Sequence, residues 1–222
     1  KYQPDTVNIS GCAKKVRVAP LPDGDPALEA AAALFPCADP APDILFSGLS
    51  NVNMVLHPPG AILAAAWVEA SGGEFTFYVD AMTPGVERVM RELDGERRAV
   101  GGAFGHGLPS LIAEMQRIGT VEEGFCRDDD FAAAISGGVA NSRIKAPDSL
   151  KHRYYLEDFG HGLVPFLALA EIANVDVPVS SSLLRIAEAL TGADYRADGR
   201  TAARMGVAGL TRDELLTKVR AS

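Results

Sequence analysis

At 222 residues the chain is long enough for one large domain or two small ones, and it can bury a substantial core. Its 47% hydrophobic and 23% charged residues exclude a disordered chain, and no run of about 18 apolar residues marks a transmembrane helix. The net charge of −8, with no basic stripe interleaved with aromatics, argues against nucleic acid as a partner.

The first 50 residues have the rhythm of the tail of an α/β domain. Val7-Asn-Ile-Ser10 and Lys15-Val-Arg-Val-Ala19 read as short strands bounded by glycine and proline. Asp25-Pro26 opens a helix that an alanine-rich run carries to Phe35, and Asp43-Ile-Leu-Phe46 is a third strand candidate. From about Asn51 to Ser222 the pattern is helical, interrupted by an extended segment at Glu74–Val79. Thr83 caps a helix opened by Pro84, with Val86, Val89, Met90, Leu93 and Val100 as its apolar stripe. Shorter helices are expected over Leu108–Ile118 and Asp128–Ile135, the second entered through the charge run Arg127-Asp-Asp-Asp130. Leu163 to Ile172 reads as a buried helix. Ser180-Ser-Ser182 leads into another, which Gly192 stops, and Thr211-Arg-Asp-Glu214 is a capping box before Leu215, Leu216 and Val219.

Cys12, Cys37 and Cys126 fit no zinc or redox spacing and read as reduced cytosolic thiols. The opening Lys1-Tyr-Gln-Pro4 has no apolar core of a signal peptide, so a cytoplasmic location is expected.

Chemistry concentrates in two places. His57 follows Met54-Val-Leu56 and precedes Pro58-Pro59, which place it at the end of an element. A neutral imidazole there serves either as a helix-end hydrogen-bond partner or as a group that gives and takes a proton near pH 7. Downstream, Lys151-His-Arg-Tyr-Tyr-Leu-Glu-Asp158 precedes Gly160, Gly162 and Pro165, which should break the helix. Arg153 and Glu157, four apart, are spaced for a helical ion pair. Asp158 is five from Arg153, about 140° round an ideal helix, so one face does not hold both. Arg153 offers a planar fork for a carboxylate, and Asp158 could orient a histidine and stabilise its imidazolium. Glu157, His161 and His152 suggest a metal site, but Gly160 undermines their alignment and no His-Glu-x-x-His occurs, so none is expected. No Gly-x-Ser-x-Gly elbow marks a hydrolase, and His106, in Gly105-His-Gly107, reads as a loop residue.

The order of motifs says more. Ser47-Gly-Leu-Ser-Asn-Val-Asn-Met-Val-Leu-His-Pro-Pro59, Phe75-Thr-Phe-Tyr-Val-Asp-Ala-Met-Thr-Pro84, Leu93-Asp-Gly-Glu-Arg97, the block from Ile144 to Pro165 and Asp198-Gly-Arg-Thr201 together closely resemble the opine dehydrogenase family, which includes the octopine and nopaline dehydrogenases. The resemblance covers nearly the whole chain. It implies a mainly α fold: a helical domain like the C-terminal domain of 6-phosphogluconate dehydrogenase, over residues 51–222, preceded over residues 1–50 by the remnant of a Rossmann domain. It further implies NAD or NADP as cofactor, and reductive joining of an amino acid to a 2-keto acid. By motif position His57 and Asp158 take the catalytic acid–base roles and Arg153 grips a substrate carboxylate. A homodimer is compatible with this picture, and no membrane partner is implied.

One departure is large. No Gly-x-Gly-x-x-Gly occurs, and Gly101-Gly-Ala-Phe-Gly-His-Gly107 has the wrong spacing for one. The chain therefore reads as the substrate and catalytic half of such an enzyme, inactive alone, with the nucleotide-binding portion supplied by further chain or a separate one. The alternative is a non-catalytic helical module kept for dimerisation or ligand binding.

Overall fold

The computed structural model describes residues 12–21, 26–121, 124, 130–138 and 141–220. The expected strand at Val7–Ser10, the helix-opening Asp25, Cys126 and the charges Arg127 to Asp129 lie outside them.

The chain begins as a βαβ unit. β1 (Val16–Val18) and β2 (Ala38–Pro40) run parallel, in register from Val16↔Ala38 to Val18↔Pro40, joined by α1 (Ala27–Leu34). Parallel strands require such a crossover, because a tight turn reverses direction. The third strand candidate is instead a helix, α2 (Ile44–Leu49). Asp43 caps it by accepting from Phe46 N at 2.9 Å, and its apolar run buries Leu45, Phe46 and Leu49. Six residues are too short for periodicity to separate strand from helix; the cap decides.

Helices form the rest. α3 (Asn53–Leu63) is the central one, packing against α5 (Pro84–Ala103), α8 (Arg153–Glu157) and α10 (Pro178–Thr191). α4 (Ala65–Ser71) ends at Gly72 in the left-handed region. The Glu74–Val79 segment pairs only at Thr76, bridged to Lys145, and then turns. α5 has the expected Thr83 cap and Pro84 opening, and its stripe buries Val86, Met90, Leu93 and Val100. α6 (Leu111–Ile118) starts at its Ser110 cap, later than the expected Leu108. α7 (Phe131–Gly137) is capped by Asp130. α9 (Val164–Ala173), α10, the short α11 (Tyr195–Asp198) and α12 (Arg212–Arg220) complete the chain. α10 begins at Pro178, ahead of its serines, and stops at Gly192 as expected. The Thr211–Glu214 capping box forms with both reciprocal bonds, Thr211 N to Glu214 Oε2 at 2.8 Å and Glu214 N to Thr211 Oγ1 at 3.3 Å.

Two expectations about breaks are overturned. His57 is not at an element's end. Pro58 and Pro59 lie inside α3, which tolerates the loss of two N–H donors because every residue from Met54 to Ile62 is buried against neighbours. Nor is the chain broken after Asp158. Residues 158–163 form a π-helical turn that runs directly from α8 into α9, with Val164 N donating to Phe159 O. The widened turn frees the Gly160 carbonyl, which accepts from Arg200 N at 2.8 Å. Gly199 must be small here, since a Cβ would run into the carbonyl oxygens of Gly160 and Tyr195.

The βαβ unit is bound to the helices by charge. Arg17 on β1 holds Glu114 of α6 with both prongs at 2.8 Å, lies 3.4 Å from Asp39 on β2 and covers the Phe46 ring of α2. Arg117 of α6 also bonds Asp39, which holds that carboxyl below its ordinary range. A second buried cluster accounts for the Leu93–Arg97 motif. Arg97 binds Asp94 and the carbonyls of Leu49 and Pro109, while Glu96 accepts from the N–H groups of Val179 and Ser180. These residues join α2, α5, α6 and α10, so the motif is structural. No helix among the described residues is long and apolar enough to cross a membrane.

Candidate active site

His57 and Asp158 are 101 positions apart, yet His57 Nδ1 lies 2.8 Å from Asp158 Oδ2. The central helix supplies the imidazole and the first residue of the π turn supplies the carboxylate. Both are buried, with His57 only 2% exposed. The other ring nitrogen, Nε2, is 2.6 Å from Tyr78 Oη, and Tyr78 Oη is 3.3 Å from Tyr154 Oη. Tyr154 also stacks on the imidazole, with centroids 3.8 Å apart and planes 21° apart, and Phe77 meets the ring edge-on at 6.1 Å. Gly60 makes room for this packing: a Cβ there would lie 2.7 Å from Phe77 Cζ.

The hydrogen-bond directions follow from the chemistry of each group. A carboxylate only accepts, so Nδ1–H donates to Asp158; when the imidazole is neutral, Nε2 then accepts from the Tyr78 hydroxyl. Burial raises the Tyr78 phenol well above its ordinary range, reinforced by the neighbouring Tyr154. Burial likewise raises Tyr154, against the opposing effects of its hydrogen bond with Tyr78 and of the Arg153 charge. Both hydroxyls therefore stay neutral at physiological pH.

Arg153 opens α8 beside Tyr154, but the structure does not bring it to the pair. Its side chain is 58% exposed, and its ion-pair partner is Glu157 at 3.7 Å. Asp158 turns inward and Arg153 outward, as five residues of helix require. The paired tyrosines diverge in the same way: Tyr154 covers His57, while Tyr155 donates to Ala61 O at 2.8 Å and serves the core. His152 caps α8 through Tyr154 N, and burial lowers its pKa. Among the described residues, no group of three or more His, Cys, Asp or Glu could hold a metal ion. His106 sits in a loop, as expected. It is buried 3.0 Å from Asp43 Oδ1 without hydrogen-bond alignment, and it is remote in sequence and partners from His57.

Two cavities border the site and share Ser47 and Asn51. One, of about 400 Å³, is reached by Tyr78 and lined by Ser50, Asn53 and Asn141. The other, of about 660 Å³, is lined by Met54 and Gly162 and by the cationic Arg200, Arg204 and Lys218. Leu21 and Ile44, which follow the carboxyl ends of β1 and β2, also line it; that is the end of a parallel sheet where ligands bind in α/β folds.

Nothing in the sequence assigns Tyr78 a role. The only available signal was a hydroxyl in the apolar run Phe75-Thr-Phe-Tyr-Val79, and an apolar run reads first as core.

A parallel βαβ unit thus leads into a helical domain, with a buried imidazole–carboxylate pair on the helical side. The family model for the NAD/NADP octopine/nopaline dehydrogenase alpha-helical domain matches residues 40–191, and the chain belongs to that family. Among its relatives, an opine dehydrogenase of Arthrobacter sp. (strain 1C) is 32% identical over 211 residues, covering 93% of this chain and 56% of that protein. A vitopine synthase of Allorhizobium ampelinum is 31% identical over 173 residues, covering 72% of this chain and 43% of the relative. A solved octopine dehydrogenase in complex with NADH and L-arginine superposes with a TM-score of 0.67 at 22% identity, covering 88% of this chain and 55% of that one. The chain thus spans about half the length of the relatives it matches.

Proposed function

We propose that this chain is the substrate-binding and catalytic half of an NAD(P)-dependent opine dehydrogenase, joining an amino acid to a 2-keto acid. The observation that carries the proposal is the buried 2.8 Å contact between His57 and Asp158. A buried imidazole held in one tautomer by a carboxylate is costly to maintain for packing alone, and it is the arrangement a general acid–base needs. His57 takes and returns the proton, and Asp158 fixes its Nδ1–H tautomer and stabilises the imidazolium. Arg153 holds a substrate carboxylate with its planar fork; its exposure and its long contact with Glu157 leave the guanidinium available.

The residues present do not fit the cofactor's pyrophosphate. The sequence after β1 reads Ala19-Pro-Leu-Pro-Asp-Gly-Asp-Pro26; Gly24 is its one glycine, and it lacks the Gly-x-Gly-x-x-Gly spacing that lets backbone approach phosphate. Residues 1–50 are accordingly assigned as the closing βαβ of a nucleotide-binding domain and residues 51–222 as the substrate domain. A two-stranded parallel sheet is not stable alone, and parallel sheets are normally covered on both faces. Here α1 buries no residue, and Leu21, Leu34 and Phe35 are at least 60% exposed. That apolar surface suits further strands and helices, from more of the same chain or from a separate one.

Asp158→Asn in the full-length protein tests the reading. The amide preserves size but cannot stabilise imidazolium, so turnover should fall by about 10²–10⁴-fold with the melting temperature nearly unchanged. Near-native turnover would remove the pair from the mechanism.

A further inference from the structure

The pair is sealed. His57 is buried, its two nitrogens are both occupied, Tyr154 stacks on one face and Phe77 meets the ring edge-on. Neither His57 nor Asp158 lines either of the two cavities, whereas Tyr78 lines the smaller one. In this arrangement Tyr78 is the residue that both bonds the imidazole, through its hydroxyl, and lines a cavity.

We propose that Tyr78 is a proton relay between His57 and a ligand in the cavity lined by Ser50, Asn53 and Asn141, a role that rests on the acid–base reading of His57. With neutral His57, the Tyr78 hydroxyl donates to Nε2. Once His57 is protonated, Nε2–H must donate, so the Tyr78 oxygen accepts and its own hydrogen turns away from the ring. It then points toward Tyr154 or the ligand. The transfer breaks the Tyr78 O–H bond as its proton passes to the carbonyl oxygen of a 2-keto acid attacked by an amine. At the same time the Nε2 proton passes to Tyr78 Oη. One proton moves from His57 to the ligand, Tyr78 is regenerated, and no electrons are exchanged. Burial of the phenol favours this concerted hand-off, because Tyr78 never has to carry a charge. Tyr154, at 3.3 Å, orients the hydroxyl while Tyr78 waits as an acceptor.

The competing idea is that Tyr78 merely plugs the site and swings out when a ligand enters, leaving His57 to touch the ligand directly. Single turnover of the full-length protein separates the two, with NADH, pyruvate and a panel of L-amino acids. For the relay, Tyr78→Phe should slow the chemical step by about 10²-fold while the apparent Michaelis constants stay within about two-fold, since only transition-state proton transfer is lost. Rates of the unsubstituted enzyme in mixed H2O and D2O should bow downward, as two protons in flight require; the Tyr78→Phe variant should give a straight line. A near-native Tyr78→Phe rate beside an inactive His57→Asn variant would overturn the relay and leave the pair intact. So would a straight line for the unsubstituted enzyme. Full turnover by His57→Asn, or no turnover with any amino acid, would overturn the acid–base reading and the relay with it.

Discussion

Arg153 stands outside the buried pair although it precedes Asp158 by only five positions, and the helical period is the reason. Its contact with Glu157 is exposed on both sides, the kind of i,i+4 pair that contributes about 0.3–0.5 kcal/mol. If that were its whole role, Arg153→Ala would be nearly silent. As the carboxylate clamp, it should instead raise the apparent Michaelis constant for one substrate about ten-fold or more, the scale of a charge-assisted hydrogen bond, with little change in melting temperature. Arg153→Lys should recover only part of that loss, because an ammonium keeps the charge without the bidentate fork. Steady-state kinetics and a thermal melt check both; full rescue by lysine, or a loss confined to stability, would return Arg153 to the ion pair. At this scale the sequence was readable for residues whose type implies chemistry. A lone His and an acid beside a glycine pair stood out at once. Tyr78 did not, because its importance is a distance to a ring nitrogen 21 positions away, and no local pattern encodes that.

Elements were legible where their signals are local. The Thr83 cap with Pro84, the Gly192 stop and the Thr211–Glu214 box each lie within one turn of the boundary they set. Errors arose where tertiary contacts override a breaker. α3 carries two prolines because it is buried along its length, and the π turn survives two glycines because Arg200 N takes up the Gly160 carbonyl. The junction between β1, β2 and α6 is likewise a long-range construction, and it has a pH signature. Asp39 is lowered chiefly by its hydrogen bond from Arg117, with the charges of Arg117, Arg17 and Lys15 adding to it and burial opposing. A carboxyl depressed on folding stabilises the fold above its unfolded value, and that contribution is lost as pH falls through the depressed value. The melting-temperature gap between the unsubstituted protein and Asp39→Asn should therefore be full at neutral pH and shrink below about pH 4. A gap that stays constant down to about pH 3 would mean that the Arg117–Asp39 contact contributes nothing to stability.

At the scale of the whole molecule, the buried imidazole–carboxylate pair and the parallel strands lie in different parts of the chain. Asp158, His57 and Tyr154 lie on the helices and Tyr78 on the segment between α4 and α5, while the βαβ unit offers a parallel sheet edge, an uncovered helix and no glycine fingerprint. A larger cavity opens at the carboxyl ends of its two strands, and its lining includes Arg200, Arg204 and Lys218 in a molecule of net charge −8. Cations gathered there against that background favour anionic ligands. On the proposed assignment, these 222 residues alone are expected neither to bind NADH nor to turn over. Titrating them into NADH should give no fluorescence change at micromolar concentrations and no hydride transfer to pyruvate with an amino acid. Adding the glycine-fingerprint portion, on the same chain or as a second one, should restore both. Micromolar NADH binding with turnover by these 222 residues alone would mean that the cleft between α2 and α12 grips the cofactor without a glycine turn, and the assignment of residues 1–50 as a closing unit would fall.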